Sequence, residues 1–152
     1  MANELLKDPM VLREIILDHY EYPRNHGLKK HDEHYHDVHM ASESCIDDIH
    51  VQAYIKDGVI EDIVFDGVAC TISTASTSIM TELVKGKTLE EAREIMENYY
   101  AMIAGKPYNE ELLDEAVCLK GVSKQANRIK CATIGWHGLE ELLKTEEQND
   151  GK

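Results

Sequence analysis

The sequence predicts an α+β fold, a small three-stranded antiparallel sheet packed against several helices. Two observations carry the prediction. Strand-period segments joined by a tight-turn signal come before residue 66, and 3.6-residue periodicity with cap and stop signals dominates after it. The chain has 152 residues, 43% hydrophobic and 30% charged, which is the composition of a globular domain. At that length one core is expected to sustain the fold, so residues 1–152 read as a single domain, with an acidic tail from about Thr145.

Asp8-Pro9 supplies a helix cap followed by proline at the first helical position, and Leu12, Ile15, Ile16 and His19 then share a face. Tyr22-Pro23 ends that helix, and Arg24-Asn25-His26-Gly27 turns the chain. A weak strand pattern spans His36–Ala41. A clear one follows, in which Ile49, Val51, Ala53 and Ile55 alternate with His50, Gln52 and Tyr54. Lys56-Asp57-Gly58 is a hairpin signal, and Val59–Phe65 is the β-branched partner.

Beyond Gly67 the period becomes helical, through Ile72, Ala75, Ser76, Ile79, Met80 and Leu83, with Gly86 as the stop. Thr88 and Glu91 form a capping box that opens a helix closed by Gly105. A short helix from Asn109 to about Leu119 is expected next. The last helix is expected from about Arg128 through Cys131, Trp136, Leu139 and Leu143.

Charge and length exclude several functions. Sixteen Lys+Arg against 29 Asp+Glu give a net charge of −13, which disfavours a nucleic-acid partner. The longest uncharged stretch, Gly67 to Thr81, is too short and too rich in Ser and Thr to span a bilayer. The N-terminal residues show neither a secretory nor a transit pattern, so a cytoplasmic location is expected, and with it reduced thiols.

Four cysteines therefore carry the chemical question. Cys45 lies in a polar stretch between two strands, and in an extended Cys45-Ile46-Asp47 segment the thiol and the carboxylate face the same side. Cys70 precedes a helix, and Cys131 is expected in the first turn of another, beside Arg128 and Lys130. Helix N-termini and nearby cations favour thiolates. Cys118 sits among Leu112, Leu113, Val117 and Leu119 and reads as packing. Separations of 25 and 61 residues between Cys45, Cys70 and Cys131 match no local zinc-finger spacing, so unrelated thiols and a shared site both fit.

Two other features stand against simpler readings. The His31–His39 run could bind zinc or nickel, but a run of this kind is more often a solvated loop. A nucleophile in the Ser73–Ser78 run needs an adjacent base, and none is visible nearby in the chain.

The ordered motifs resemble the U-type iron–sulfur assembly family, related to IscU and NifU, and most closely its SufU branch. The similarity rests on Asp18-His19-Tyr20 with Pro23-Arg24-Asn25 and Gly27, on Cys45-Ile46-Asp47, and on Cys70-Thr71-Ile72-Ser73 with Ala75-Ser76. It also rests on Gly121-Val122-Ser123-Lys124 with Arg128-Ile129-Lys130-Cys131-Ala132-Thr133 and Trp136. Lys130, where IscU proteins carry histidine, and the extra segment 105–121 favour the SufU branch. The sequence departs from the family pattern at Ser42-Glu43, Ile46, Ala69 and Gln125-Ala126-Asn127.

The resemblance implies that Cys45, Asp47, Cys70 and Cys131 meet at one end of the fold and bind zinc. Arg128 and Lys130 would offset the negative charge, and Cys45 would accept persulfide sulfur from a pyridoxal-phosphate cysteine desulfurase of the SufS type. Cys45 is the candidate acceptor because its loop is expected to be the most mobile of the three ligand segments. Sulfur would then pass to downstream iron–sulfur assembly proteins. The same four ligands equally suit a scaffold for a 2Fe-2S cluster. A zinc-stapled, non-catalytic regulator that binds the desulfurase is a third reading.

Overall fold

A computed structural model of the chain describes residues 4, 6–30, 32–42 and 46–150, with side chains described as far as residue 146. The elements follow in the order α1 (Pro9–Glu21), β1 (His36–Ala41), β2 (Asp48–Lys56), β3 (Val59–Val68), α2 (Thr71–Val84), α3 (Leu89–Ile103), α4 (Glu110–Leu113), a 3-10 segment (Asp114–Lys124) and α5 (Ala126–Asp150). The α+β architecture expected from the sequence is the one observed.

The strands form one antiparallel sheet in the order β1-β2-β3. Alternation along β2 buries Ile49, Val51 and Ala53 against the helices and leaves Asp48, His50 and Gln52 on the opposite face. The β2–β3 turn needs positive φ at two successive residues, and Asp57 (φ 53°) and Gly58 (φ 74°) supply it. β3 runs three residues past the expected end at Phe65, as far as Val68. Gly67 (φ +133°) permits that extension, because a Cβ there would stand 2.2 Å from the Asp48 carbonyl oxygen.

Helices cover the inner face of the sheet. Asp8 caps α1, whose buried side chains are Leu12 and His19, and the turn after α1 joins the sheet when Gly27 N–H donates to Phe65 O at 2.8 Å. The Thr88–Glu91 capping box opens α3 as expected. α5 crosses α2 closely: a Cβ on Gly135 would lie 2.2 Å from Thr77 Oγ1. Small residues on both helices allow this approach.

The helices are also pinned by buried hydroxyls. Ser76 Oγ donates to Ala132 O at 2.6 Å, Tyr99 OH donates to the same carbonyl at 2.6 Å, and Trp136 Nε1–H donates to Ser76 Oγ at 3.1 Å. Tyr99 and Trp136 stack 4.0 Å apart. Burial pushes the Tyr99 phenol well above its ordinary range and keeps it a donor. Among the described residues no buried side-chain nitrogen or oxygen lacks a partner.

Two expectations are corrected. The helix expected from Asn109 to Leu119 is α-helical only over Glu110–Leu113. Asp114 adopts φ 44°, which breaks the α ladder, and the chain continues as a 3-10 segment to Lys124. α5 begins at Ala126 rather than about Arg128, and its backbone remains helical to Asp150, through the acidic stretch after Thr145. Although 25 residues long, α5 interleaves its buried apolar residues with charged and polar ones, and no described helix is long and apolar enough to cross a membrane.

Candidate metal centre

Three separate elements converge at one end of the sheet. Asp47 precedes β2, Cys70 caps the N-terminus of α2, and Cys131 lies on α5. Their donor atoms all fall within 4.8 Å of one another. A tetrahedral zinc with Zn–S bonds of about 2.3 Å has sulfur–sulfur edges of roughly 3.8 Å, so this spacing suits a shared ion after small side-chain adjustment. Cys45, the fourth expected ligand, lies outside the described residues, as do Glu43, Ser44 and His31.

The chain folds this way for local reasons. Asp47 is 1% exposed, and its Oδ1 accepts the Cys70 N–H at 2.9 Å. Its Oδ2 accepts from the Ser73 hydroxyl. Ser73 N–H in turn donates to Cys70 Sγ at 3.4 Å, the helix-cap interaction of α2. The positive end of α2 therefore faces both a carboxylate and a sulfur. Ser42 N–H donates to Asp47 O at 2.9 Å and ties the end of β1 to the start of β2.

Cys131 reaches the cluster by helix packing rather than by capping. It is the sixth residue of α5, in the second turn, which corrects the expectation that it occupies the first. The macrodipole acts chiefly within the first turn, so its effect is concentrated at Cys70. Cys131 owes its position to the next residue, Ala132, whose carbonyl is held by Ser76 and Tyr99.

Arg128 and Lys130 are exposed on opposite flanks of the segment that carries Cys131. Arg128 borders a hollow it shares with Cys70, Thr71 and Gln125, while Lys130 borders one with Ser42, Thr133 and His137. Ile46, the neighbour of Asp47, and Val68, two residues before Cys70, are 65% and 63% exposed. The Asp48 side chain is on the other face of the sheet, 2.5 Å from His39 Nε2, so its charge lies away from this cluster.

Side chains outside the cluster agree with their sequence reading in one case and depart from it in others. Cys118 is buried as expected, and burial pushes its thiol well above the ordinary value. The Ser73–Ser78 run does have a base: His19 Nδ1 lies 2.8 Å from Ser78 Oγ, and its Nε2 lies 3.2 Å from Glu115 Oε1. This resembles a serine–histidine–acid set, but Ser78 is fully buried and its Oγ also accepts the Arg24 N–H. The set therefore pins α1 to α2 and to the 3-10 segment. The sequence reading also missed Ser73, although a hydroxyl three residues after a helix-capping cysteine is a usable signal.

Comparison with known proteins follows the same motifs. The profile of the NifU-like N terminal domain family matches residues 12–133, which include Asp47, Cys70 and Cys131. The chain belongs to this family. Among its relatives is the zinc-dependent sulfurtransferase SufU of Bacillus subtilis, 38% identical over 136 residues, with 89% of this chain and 90% of that protein covered. Another is the iron–sulfur cluster assembly scaffold protein IscU of Streptococcus pyogenes, 39% identical over 132 residues, covering 86% and 80%. The structure of a putative iron–sulfur cluster assembly scaffold protein for the SUF system from Fervidobacterium islandicum aligns with TM-score 0.78. It is 32% identical and covers 86% of this chain and 94% of that one. A hypothetical protein aligns at TM-score 0.83 with 36% identity, covering 90% and 99%. These likenesses place the chain with SufU- and IscU-type proteins of the NifU-like family.

Proposed function

We propose that the protein serves iron–sulfur cluster assembly as a zinc-dependent acceptor of persulfide sulfur from a cysteine desulfurase. The convergence of Asp47, Cys70 and Cys131 is the observation that carries this reading. Two soft sulfurs and one buried carboxylate form a donor set that zinc accepts, and Cys45, two residues before Asp47, is assigned as the fourth ligand. Zinc bound there would keep its ligand thiols deprotonated without redox chemistry. Three thiolates and a carboxylate leave a formal excess of about two negative charges on a divalent ion. The N-terminus of α2, Arg128 and Lys130 offset it.

The chain's own residues define the remaining work. Asp47 is held rigid by Cys70 N–H and Ser73, and Cys131 by the α2–α5 hydroxyl network, so Cys45 is the ligand assigned to react. Its thiolate attacks the terminal sulfur of the donor persulfide. A new S–S bond forms on Cys45, the donor's S–S bond breaks, and the electron pair leaves with the donor cysteine as a thiolate. No external oxidant or reductant is consumed. Exposed Ile46 and Val68, close in the chain to Asp47 and Cys70, offer the desulfurase apolar side chains to dock against.

A second reading, a scaffold on which a 2Fe-2S cluster is built, draws on the relatives named as IscU scaffolds and uses the same ligands. One experiment separates the readings. The protein is mixed with a pyridoxal-phosphate cysteine desulfurase and cysteine under anaerobic conditions, alkylated, and weighed intact. Sulfur acceptance predicts one added sulfur atom on the wild type and on Cys118→Ser, and none on Cys45→Ser. Equal sulfuration of Cys45→Ser overturns the assignment. Desulfurase binding without any added sulfur points instead to a regulator, and iron with labile sulfide points to the scaffold.

A further inference from the structure

We infer that the outer face of the sheet carries a second, exchangeable site for a divalent transition-metal ion, built from His39, Asp48 and His50. It does not rest on the assignment of the cysteine cluster. Strand register creates it. His39 on β1 is the direct antiparallel partner of His50 on β2, so both imidazoles stand on the same face. Asp48 precedes His50 by two residues and shares that face. The two rings stack with centroids 4.4 Å apart and an interplanar angle of 7°. Donor atoms of His39, Asp48 and His50 all lie within 4.8 Å of one another.

A further residue gives the group the organisation of a metal site. Asp37 lies on the same face of β1, and its Oδ2 is 2.9 Å from His50 Nδ1. A carboxylate on one ring nitrogen fixes the imidazole's tautomer and orientation and presents Nε2 to an ion, the usual support for a ligating histidine. His39 Nε2 lies 2.5 Å from Asp48 Oδ1, and an ion held between them would replace that hydrogen bond.

The chemistry selects the class of ion. Two imidazoles and a carboxylate suit zinc, nickel or copper rather than magnesium or calcium, which prefer all-oxygen sets. The side chains of His39, Asp48 and His50 are 51%, 58% and 36% exposed, so remaining coordination positions open to water. A three-ligand, solvent-open set on a rigid strand pair binds and releases its ion more readily than a buried thiolate set. Asp47 and Asp48 are successive residues aimed at opposite faces, which puts the second site back to back with the cysteine cluster.

Zinc titration of the full-length protein at pH 7.5, followed by calorimetry and equilibrium dialysis, tests the inference. The wild type is expected to bind one tight and one weaker equivalent. His39→Ala/His50→Ala should lose only the weaker one, Asp37→Asn should weaken it roughly 10–100-fold, and Cys131→Ser should retain it. Control variants His34→Ala and His137→Ala should bind as the wild type does. In the unmodified protein, the ring ¹⁵N resonances of His39 and His50 should shift together as the second equivalent is added. The inference is overturned if the wild type takes no second equivalent, if the double variant keeps it with unchanged affinity, if a control variant loses it, or if those resonances do not move.

Discussion

Ser76→Ala removes one oxygen from the junction between α2 and α5, and its cost follows from the hydrogen bonds around that atom. The Ala132 carbonyl loses the Ser76 donor but keeps Tyr99 OH at 2.6 Å. Trp136 Nε1–H loses its acceptor at 3.1 Å and is left buried, at 0% exposure. An orphaned buried donor costs about 1–3 kcal/mol, and deletion of a single hydroxyl leaves almost no cavity to add to that. For a domain of this size each kcal/mol lowers Tm by roughly 2–4 °C, so the expected fall is about 2–12 °C. Trp136 is the only tryptophan, so its fluorescence reports the junction directly during urea unfolding. Tyr99→Phe should cost less, about 0.5–1.5 kcal/mol, because Ser76 still serves both partners. A Ser76→Ala protein that unfolds at the wild-type midpoint with unchanged native fluorescence would refute the claim that this network holds the two helices.

Three further outcomes are expected. Gly135→Ala drives a Cβ to within 2.2 Å of Thr77 Oγ1, so it should cost about 1–3 kcal/mol by overpacking and weaken zinc binding by displacing Cys131, both measurable in one chelator competition and melting series. Glu115 is held below its ordinary value of 4.5, first by the hydrogen bond from His19. A depressed folded-state value contributes stability above pH 4.5 that is lost as pH falls toward the folded value, so Glu115→Gln should flatten the acid limb of a stability–pH curve. Because Glu115 is half exposed, that change should be small, and an unaltered acid limb would contradict the assignment. Cys118→Ser should destabilise by about 1–3 kcal/mol, through burial of a hydroxyl, while sulfur acceptance stays at the wild-type level in the mass assay.

Much of the fold was legible because its signals are local. Alternation over residues 49–55 marked β2, Asp57-Gly58 marked the hairpin, and Thr88 with Glu91 marked the start of α3. The region after Asn109 misled because its apolar residues continue a helical pattern across Asp114, whose positive φ leaves no trace in composition. At the candidate centre, residue types identified Asp47, Cys70 and Cys131, yet their order and spacing held no information about the Ala132 carbonyl, whose contact depends on how α2 meets α5. The His19–Ser78–Glu115 set joins residues 59 and 96 positions apart, beyond any local pattern. The histidine run pointed to metal chemistry along the chain, whereas the structure forms its cluster across strands, with His50 supplied by the register of β1 on β2.

The central claim is that residues far apart in the sequence share one divalent ion. X-ray absorption at the zinc edge of the purified protein tests it most directly. The account predicts three sulfur neighbours at about 2.3 Å and one oxygen at about 2.0–2.2 Å, with one sulfur fewer in Cys131→Ser. A first shell of nitrogen and oxygen alone, or one that Cys131→Ser leaves unchanged, would contradict it.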